Sequence, residues 1–313
     1  NNQVTLDCGT STTTLRDSDG GGIGLGDTTI VGGLNISDAD LDDFTAGGLT
    51  LVTSDDVIVD NISQPANIAG ALTISANGSS SNISFSNNAS SFHSLVAEAD
   101  DRVSINVNIS TSSGDLSIDG DDDNSVDTND DIQIAAGVQL TASAGAISLD
   151  ATSGDITAAG ALVLNAADGV SINDSLTTSG QLTISADTDA PDNDGTLTIA
   201  SGAAVATNDN LVVITADDIN LQGTLNSGTA STTITDSDNT GIAIGSPTVT
   251  DGINLSGTEL QRITATGLVL NTNGSITAGG VSAANSNNIS GTTPLTAAGS
   301  ITFTSAASTF NDL

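Results

Sequence analysis

The sequence predicts an all-β protein, a right-handed parallel β-helix of about 14 coils with roughly 20–23 residues in each coil. Short segments in which apolar and polar residues alternate recur along the chain, and Gly, Asn, Asp or Ser ends each of them. The chain has no Trp and no Tyr and only 5 Phe, which favours a thin core of aliphatic side chains. We therefore expect one continuous β-solenoid over residues 1–313.

The alternating segments are clearest between residues 103 and 234, where "VSIN", "DLSI", "VQLTA", "LVLNA" and "QLTISA" are examples. Apolar residues two positions apart lie on the same face of a strand. Leu140, Leu162 and Leu182 recur at the spacing of one coil, so we expect them to stack in one interior ladder. Parallel strands joined by crossovers favour a right-handed path.

Two internal repeats organise the chain. The inner repeat has copies at approximately 103–166 and 170–229, and the long repeat has copies at approximately 11–95 and 231–313. The long repeat contains the glycine-rich stretch Gly20–Gly26, which resembles a phosphate-binding loop. Its second copy carries Asn239, Thr240 and Ala243 in place of three glycines. A phosphate loop needs its glycines for close approach of the backbone, so this stretch is interpreted as a repeat signature.

The formal net charge of −35 restricts the partners of the chain. Nucleic-acid binding requires a basic surface, and Lys and Arg together number 3. Anionic membrane surfaces are disfavoured for the same reason, and no apolar run is long enough to span a membrane. Divalent cations are the natural counter-ions of such a surface.

Two acidic insertions stand at matching places of the inner repeat, "DGDDDNSVDTNDD" after Ile118 and "SADTDAPDNDG" after Ile184. Clustered carboxylates with nearby Asn, Ser and backbone carbonyls suit Ca²⁺, and a solvated acidic loop is the alternative. The paired acids of "DSD" at Asp17–Asp19 and Asp236–Asp238 are weaker candidates, because Asp also forms turns. The predicted metal ligands are Asp119, Asp121, Asp122, Asp123, Asp127, Asp130, Asp131, Asp187, Asp189, Asp192 and Asp194.

The stretches "GIGLGDTTIVGGLNISDADLDDFTAGGLTL" and "GIAIGSPTVTDGINLSGTELQRITATGLVL" resemble recurrent segments of giant filamentous-haemagglutinin-like bacterial surface proteins. "GAISLDATSGDITAAGALVLNAADGVSI" resembles the β-helical rod repeats of the same family. The resemblance covers nearly the whole chain. It implies a right-handed β-helix, secretion through an outer-membrane partner, and a role in adhesion or in a fibrous surface layer.

We expect a structural segment of a large secreted bacterial surface fibre or adhesin, located outside the cell or on its surface. Such a stiff acidic rod would self-assemble into filaments, and a cell-surface or polysaccharide ligand is compatible with it. A Ca²⁺-binding extracellular matrix or surface-layer protein is the main alternative. A polysaccharide-active β-helix enzyme is less well supported, because the aromatic and cationic side chains that usually hold sugars are scarce; we expect no enzymatic activity.

Overall fold

The computed structural model describes residues 6–65, 67–126, 129–192, 194–304 and 306–311. The protein is nearly all-β, with 46% of residues in strands and 5% in helices. It divides into two compact units, Asn1–Thr157 and Ala158–Leu313, and each is described by itself. Among the described residues, no helix has the length and apolar character that crossing a membrane requires.

The described part of the first unit consists of short strands and one short helix. Its elements are β1 (Leu6–Asp7), β2 (Thr12–Arg16), β3 (Ile23–Gly26), β4 (Leu34–Ile36), α1 (Asp38–Asp42), β5 (Phe44–Thr45), β6 (Gly48–Thr53), β7 (Val57–Asp60), β8 (Ala71–Ala76), β9 (Asn82–Phe85), β10 (Ser90–Phe92), β11 (Ser94–Ala99), β12 (Arg102–Ile105), β13 (Ile109–Thr111), β14 (Leu116–Asp119), β15 (Asp131–Ile134), β16 (Gln139–Ala142) and β17 (Ile147–Asp150). Strand β18 (Ile156–Ala158) includes the point where the two units divide.

The second unit is built from the same kinds of element. They are β19 (Leu162–Ala166), β20 (Val170–Ile172), β21 (Leu176–Thr178), β22 (Leu182–Ser185), β23 (Leu197–Ile199), β24 (Ala204–Ala206), β25 (Val212–Ala216), β26 (Ile219–Leu221), β27 (Thr224–Asn226), β28 (Ser231–Asp236), β29 (Ile242–Gly245), β30 (Ile253–Ser256), α2 (Gly257–Gln261), β31 (Ile263–Thr264), β32 (Gly267–Thr272), β33 (Ile276–Gly279), α3 (Ala283–Ser286), β34 (Leu295–Ala297) and β35 (Ile301–Phe303).

The sheets of both units are parallel, and strands that follow each other in the chain enter different sheets. In the first unit the orders are β2-β6-β8-β11-β14-β17, β15-β12-β9-β7-β3-β4 and β10-β13-β16. In the second unit they are β19-β22-β25-β28-β32-β34, β20-β23-β26, β31-β27-β24-β21 and β30-β29-β33-β35. A chain that returns to the same sheet at regular intervals has a solenoid-like parallel architecture, which confirms this part of the predicted fold.

Buried aliphatic residues face one another in columns because the strands pair in register. In the first unit Leu49 pairs with Leu72, and Leu72 pairs with Leu95. In the second unit Leu162 pairs with Leu182, as the predicted ladder requires. All five side chains are at most 2% exposed. Each coil therefore covers the apolar side chains of the coil beside it.

Coil length is less uniform than the predicted 20–23 residues. Leu15 pairs with Leu51, and Thr232 pairs with Leu268, across much longer stretches of chain. These two stretches lie in the long repeat, where β4 and β30 each add a strand beside β3 and β29. Each copy of the long repeat thus contains one enlarged coil that carries an additional strand and helix.

The two copies of the long repeat form the same local structure in their respective units. The amide oxygen of Asn35 accepts a hydrogen bond from the Ile30 amide, and the side-chain nitrogen of Asn35 donates to the carbonyls of Ile30 and Gly33. Asn254 forms the equivalent three bonds with the segment that precedes it, to Val249 and Gly252.

A capping box begins the helix that follows each of these Asn residues. The Ser37 hydroxyl accepts from the Asp40 amide, while the Asp40 carboxylate accepts from the Ser37 amide. Ser256 and Glu259 form the same reciprocal pair in the second copy. The sequences Ser-x-x-Asp and Ser-x-x-Glu satisfy the first free amides of helices only five residues long.

We predict that Leu72→Ala destabilises the protein by about 2–5 kcal/mol, because it opens a cavity in the middle of a continuous aliphatic column. Thr73→Ala, the next residue on the outer face of β8, is the matched control and should change the free energy of unfolding by about 0.5 kcal/mol or less. Chemical denaturation followed by circular dichroism measures both. Equal effects of the two substitutions would contradict the stacked core.

Candidate metal centre

The first insertion, residues 120–130, joins β14 to β15, and the protein itself donates hydrogen bonds to four of the acids in and beside it. Asp121 is fully buried, and its Oδ2 accepts a hydrogen bond from the Ser153 amide at 2.6 Å. Asp119 accepts from the Asp121 amide, and Asp123 from the Ser125 amide. Asp131 forms an ion pair with Arg102.

The remaining predicted ligands of this insertion occupy varied positions. Asp122 is exposed, Asp130 is buried, and Asp127 lies outside the described residues. In the described part of the first unit, no three acidic residues bring ligand oxygens close enough together to hold one ion. The first insertion therefore does not assemble the predicted ligands around a common centre in the part of the chain that the structure describes.

The second insertion does assemble such a centre. One ligand oxygen each from Asp187, Asp189 and Asp192 lie within 4.8 Å of one another. A second group consists of Asp168, Asp189 and Asp194 at the same mutual distance, so Asp189 belongs to both groups. Asp187 is buried, whereas the other four residues are exposed. Four of the predicted ligands, Asp187, Asp189, Asp192 and Asp194, thus belong to these two groups. Asp168, from the preceding turn, completes the second group.

Hydrogen bonds fix the orientation of the buried carboxylate in this centre. Asp187 Oδ1 accepts from the Ala190 amide at 3.0 Å, and Oδ2 accepts from the Ser237 hydroxyl at 2.5 Å. The first bond closes the turn of the insertion, and the second connects the insertion to a later coil. Each carboxylate oxygen retains a lone pair that the protein does not use in these bonds.

Burial and mutual repulsion raise the proton affinity of the acids around this centre. Burial raises the pKa of Asp187 to about 6, and the charges of Asp238 and Asp192 add to the effect. Burial also raises the pKa of Asp217 to about 6, with contributions from Asp238, Asp218 and Asp187. Burial and the neighbouring negative charges thus disfavour the ionised form of both Asp187 and Asp217.

Asp217 is the main residue that sequence reasoning missed. Ser185 pairs with Thr215 in adjacent strands, so Asp217 occupies the position next to Asp187 in the following coil. A signal was present in "ADD" at 216–218, which follows the alternating segment "LVVITA". Its meaning depends on the register between coils, which the repeat spacing alone leaves undefined because the insertion changes the coil length.

The weaker candidates, the "DSD" acids, have a structural role at their first position. Asp17 Oδ2 accepts from the amides of Gly21 and Gly22 at 3.0 and 3.1 Å. Asp236 Oδ2 accepts from the Gly241 amide and the Thr272 hydroxyl. A carboxylate of the protein thus occupies amides that a phosphate would need, which supports the interpretation of the glycine-rich stretch as a repeat signature.

Known proteins offer no guide to this site. No protein-family model, curated protein or solved structure matches the chain. The assignment of the centre therefore depends on its geometry and electrostatics.

A separate row of acids lies on the outer face of the first unit. Glu98 pairs with Asp119, and Asp119 pairs with Asp150, on adjacent parallel strands. Burial, followed by repulsion from Asp150, Asp122 and Asp121, raises the pKa of Asp119 to about 6. Burial and the charge of Asp122 also raise the pKa of Glu98. Like charges directly opposite each other destabilise a sheet.

We predict that Asp119→Asn makes the stability of the protein less dependent on pH. The folded protein binds the Asp119 proton more tightly than the unfolded chain does, so this group lowers the free energy of unfolding as pH rises from about 4 to about 6. Wild type and variant should differ in slope across this interval by about one proton. Chemical denaturation at several pH values, with chelator present, measures the slope.

Asp251→Asn, at an exposed position, is the control for the loss of one charge. It should reproduce the pH dependence of the wild type. Parallel curves for wild type and Asp119→Asn would contradict the raised pKa of Asp119.

Proposed function

We propose that the chain is a structural segment of a large secreted bacterial surface fibre or adhesin. The observation that carries this proposal is the in-register stacking of aliphatic residues, such as Leu49, Leu72 and Leu95, beneath an outer face of small polar and acidic residues. Contacts of this kind extend by adding coils and need no globular centre. They suit a stiff spacer better than a concave active site.

The same proposal includes the handedness, the continuity and the number of the coils. We propose that the coils wind to the right, as parallel crossovers favour, and that they form one continuous acidic rod of about 14 coils over residues 1–313. The resemblance of the long and inner repeats to filamentous-haemagglutinin-like proteins supports an extracellular or cell-surface location. A surface glycan or protein would be the adhesive ligand of such a fibre.

Self-association is proposed at the last strands of the second unit. β34 and β35 each stand at the end of their sheet order. Ile301 and Phe303 are 44% and 51% exposed, and with Thr293, Pro294 and Leu295 they line a shallow cavity of about 240 Å³. An exposed apolar strand at a sheet edge is a template for pairing with another chain.

The charge distribution favours a second copy of this chain as the partner. The chain has a net charge of −35, yet no charged residue occurs between Arg262 and Asp312. Two copies can therefore approach through this end with little electrostatic repulsion. The threonine-rich edge strand β2 of another copy is the proposed contact, which would give head-to-tail association.

We predict that the wild-type chain forms concentration-dependent oligomers and that the double substitution Ile301→Asp with Phe303→Asp abolishes them. The two new charges repel the approaching copy and cannot be buried at its edge without cost. Sedimentation velocity at increasing protein concentration measures association, and negative-stain electron microscopy shows whether the oligomers are linear.

Val31→Asp is the control, because Val31 is a fully exposed apolar residue elsewhere in the chain. It should associate as the wild type does. A wild-type chain that stays monomeric at every concentration would refute the filament proposal, and so would equal association of all three proteins.

A Ca²⁺-binding surface-layer or matrix protein is the second candidate function. The carboxylate centre at Asp187, Asp189 and Asp192 favours it.

A further inference from the structure

We propose that the second acidic insertion binds one hard divalent cation of the Ca²⁺ class through Asp187, Asp189 and Asp192, with Asp217 of the following coil as a fourth ligand. This inference stands whether or not the chain forms fibres, because it depends on side chains within the second unit alone.

The three carboxylates of the insertion converge without a compensating charge. Their ligand oxygens lie within 4.8 Å of one another, a spacing at which they can contact one ion. Asp187 is only 4% exposed, so water screens its charge poorly. Three ionised groups at this distance repel one another, and a cation at their centre converts that repulsion into attraction.

Asp217 is an independent sign of a missing ligand. Its side chain is 6% exposed, and its Oδ1 is buried without a hydrogen-bond partner. A buried carboxylate oxygen without a partner is costly in a folded protein. In native structures such an atom commonly marks a water or ion that completes its coordination.

The strand register places Asp217 beside the insertion. Its oxygens lie outside the groups that meet within 4.8 Å, so the side chain would turn toward the ion on binding. Ser185 pairs with Thr215, and the Ala186 amide donates to the Thr215 carbonyl at 2.8 Å. Two residues farther along both strands, Asp187 and Asp217 are neighbours. The Asp217 amide donates to the carbonyl of Gly195, where the insertion returns to the sheet. Asp217 therefore borders the insertion from the next coil.

The second unit offers no described cationic side chain for this role. Arg262 donates from Nη1 to the carbonyl of Leu221. In the part of the chain that the structure describes, one ion pair forms, between Arg102 and Asp131. Both of these residues belong to the first unit. The buried charge of Asp187 and Asp217 thus has no counter-ion among the described side chains of the unit.

Hydrogen bonds from outside the centre hold the principal ligand in position. The Ser237 hydroxyl and the Ala190 amide each donate to one oxygen of Asp187. Outer contacts of this kind orient metal ligands and strengthen binding. Ca²⁺ takes six to eight oxygen ligands in flexible geometry, so water and backbone carbonyls complete the set beyond the four carboxylates. The exposed group of Asp168 and Asp194 borders the centre through the shared Asp189.

Binding would fasten the insertion to the coil that follows it, because three ligands come from the insertion and one comes from the next coil. Isothermal titration calorimetry of the chelator-treated full chain with CaCl₂ tests this directly. We expect saturable binding to the wild type and a rise in the midpoint of thermal unfolding. MgCl₂ should bind more weakly, because Mg²⁺ demands stricter octahedral geometry.

Matched variants separate this site from general attraction to an acidic surface. Asp187→Asn and Asp217→Asn should each weaken Ca²⁺ binding at this site, and Ser237→Ala should weaken it by about tenfold to a hundredfold while keeping every carboxylate. Asp251→Asn removes one exposed charge outside the centre and should bind as the wild type does. Ser237→Ala leaves the acidic centre intact, so it still tests the site if an Asp substitution prevents folding.

Absence of saturable heat with the wild type would overturn the proposal. Equal loss of affinity in Asp187→Asn and Asp251→Asn would also overturn it, because binding would then follow net charge. Unchanged affinity in Asp217→Asn would remove Asp217 from the ligand set and refute the link between coils.

Discussion

In-register parallel pairing is the constraint on which the rest of this structure depends. It places each side chain beside its counterpart in the next coil, so that the chemistry of one position is repeated along a column. Aliphatic residues gain from this arrangement, as the column through Leu49, Leu72 and Leu95 shows. Acidic residues lose from it, and Glu98, Asp119 and Asp150 stand opposite one another on adjacent strands. The same geometry thus creates both the core and the electrostatic conflict.

At several positions, local hydrogen bonds to acidic side chains relieve this conflict. Asp17 and Asp236 accept backbone amides, and Asn35 and Asn254 close the loops beside them. A carboxylate that accepts amide hydrogens is stabilised in its ionised form without any cationic partner. The centre around Asp187 differs, because there several carboxylates converge in a partly buried place. The Ala190 amide and the Ser237 hydroxyl both donate to the same carboxylate, that of Asp187.

The sequence allowed the strands to be predicted because inward and outward residues alternate, and Leu162 and Leu182 pair as expected. The three short helices α1, α2 and α3 were missed, although Ser256 and Glu259 show the capping-box spacing, since four or five residues are too few to display a helical period. Four of the ligands predicted in and beside the first insertion proved to have local hydrogen-bond or ion-pair roles, namely Asp119, Asp121, Asp123 and Asp131. That distinction could not be drawn from composition, because turn formation and metal binding use the same residue type. Asp217 could be assigned to the centre only from the register between coils.

The matching hydrogen bonds of Asn35 and Asn254 have a genetic consequence. Each copy of the long repeat closes its own loop and caps its own helix with residues from its own vicinity. Unequal recombination between such copies would join compatible loops and caps, so a gene can gain or lose a whole copy while these local contacts are kept. Selection can then adjust the length of the encoded protein in discrete steps, independently of the fine tuning of any single side chain.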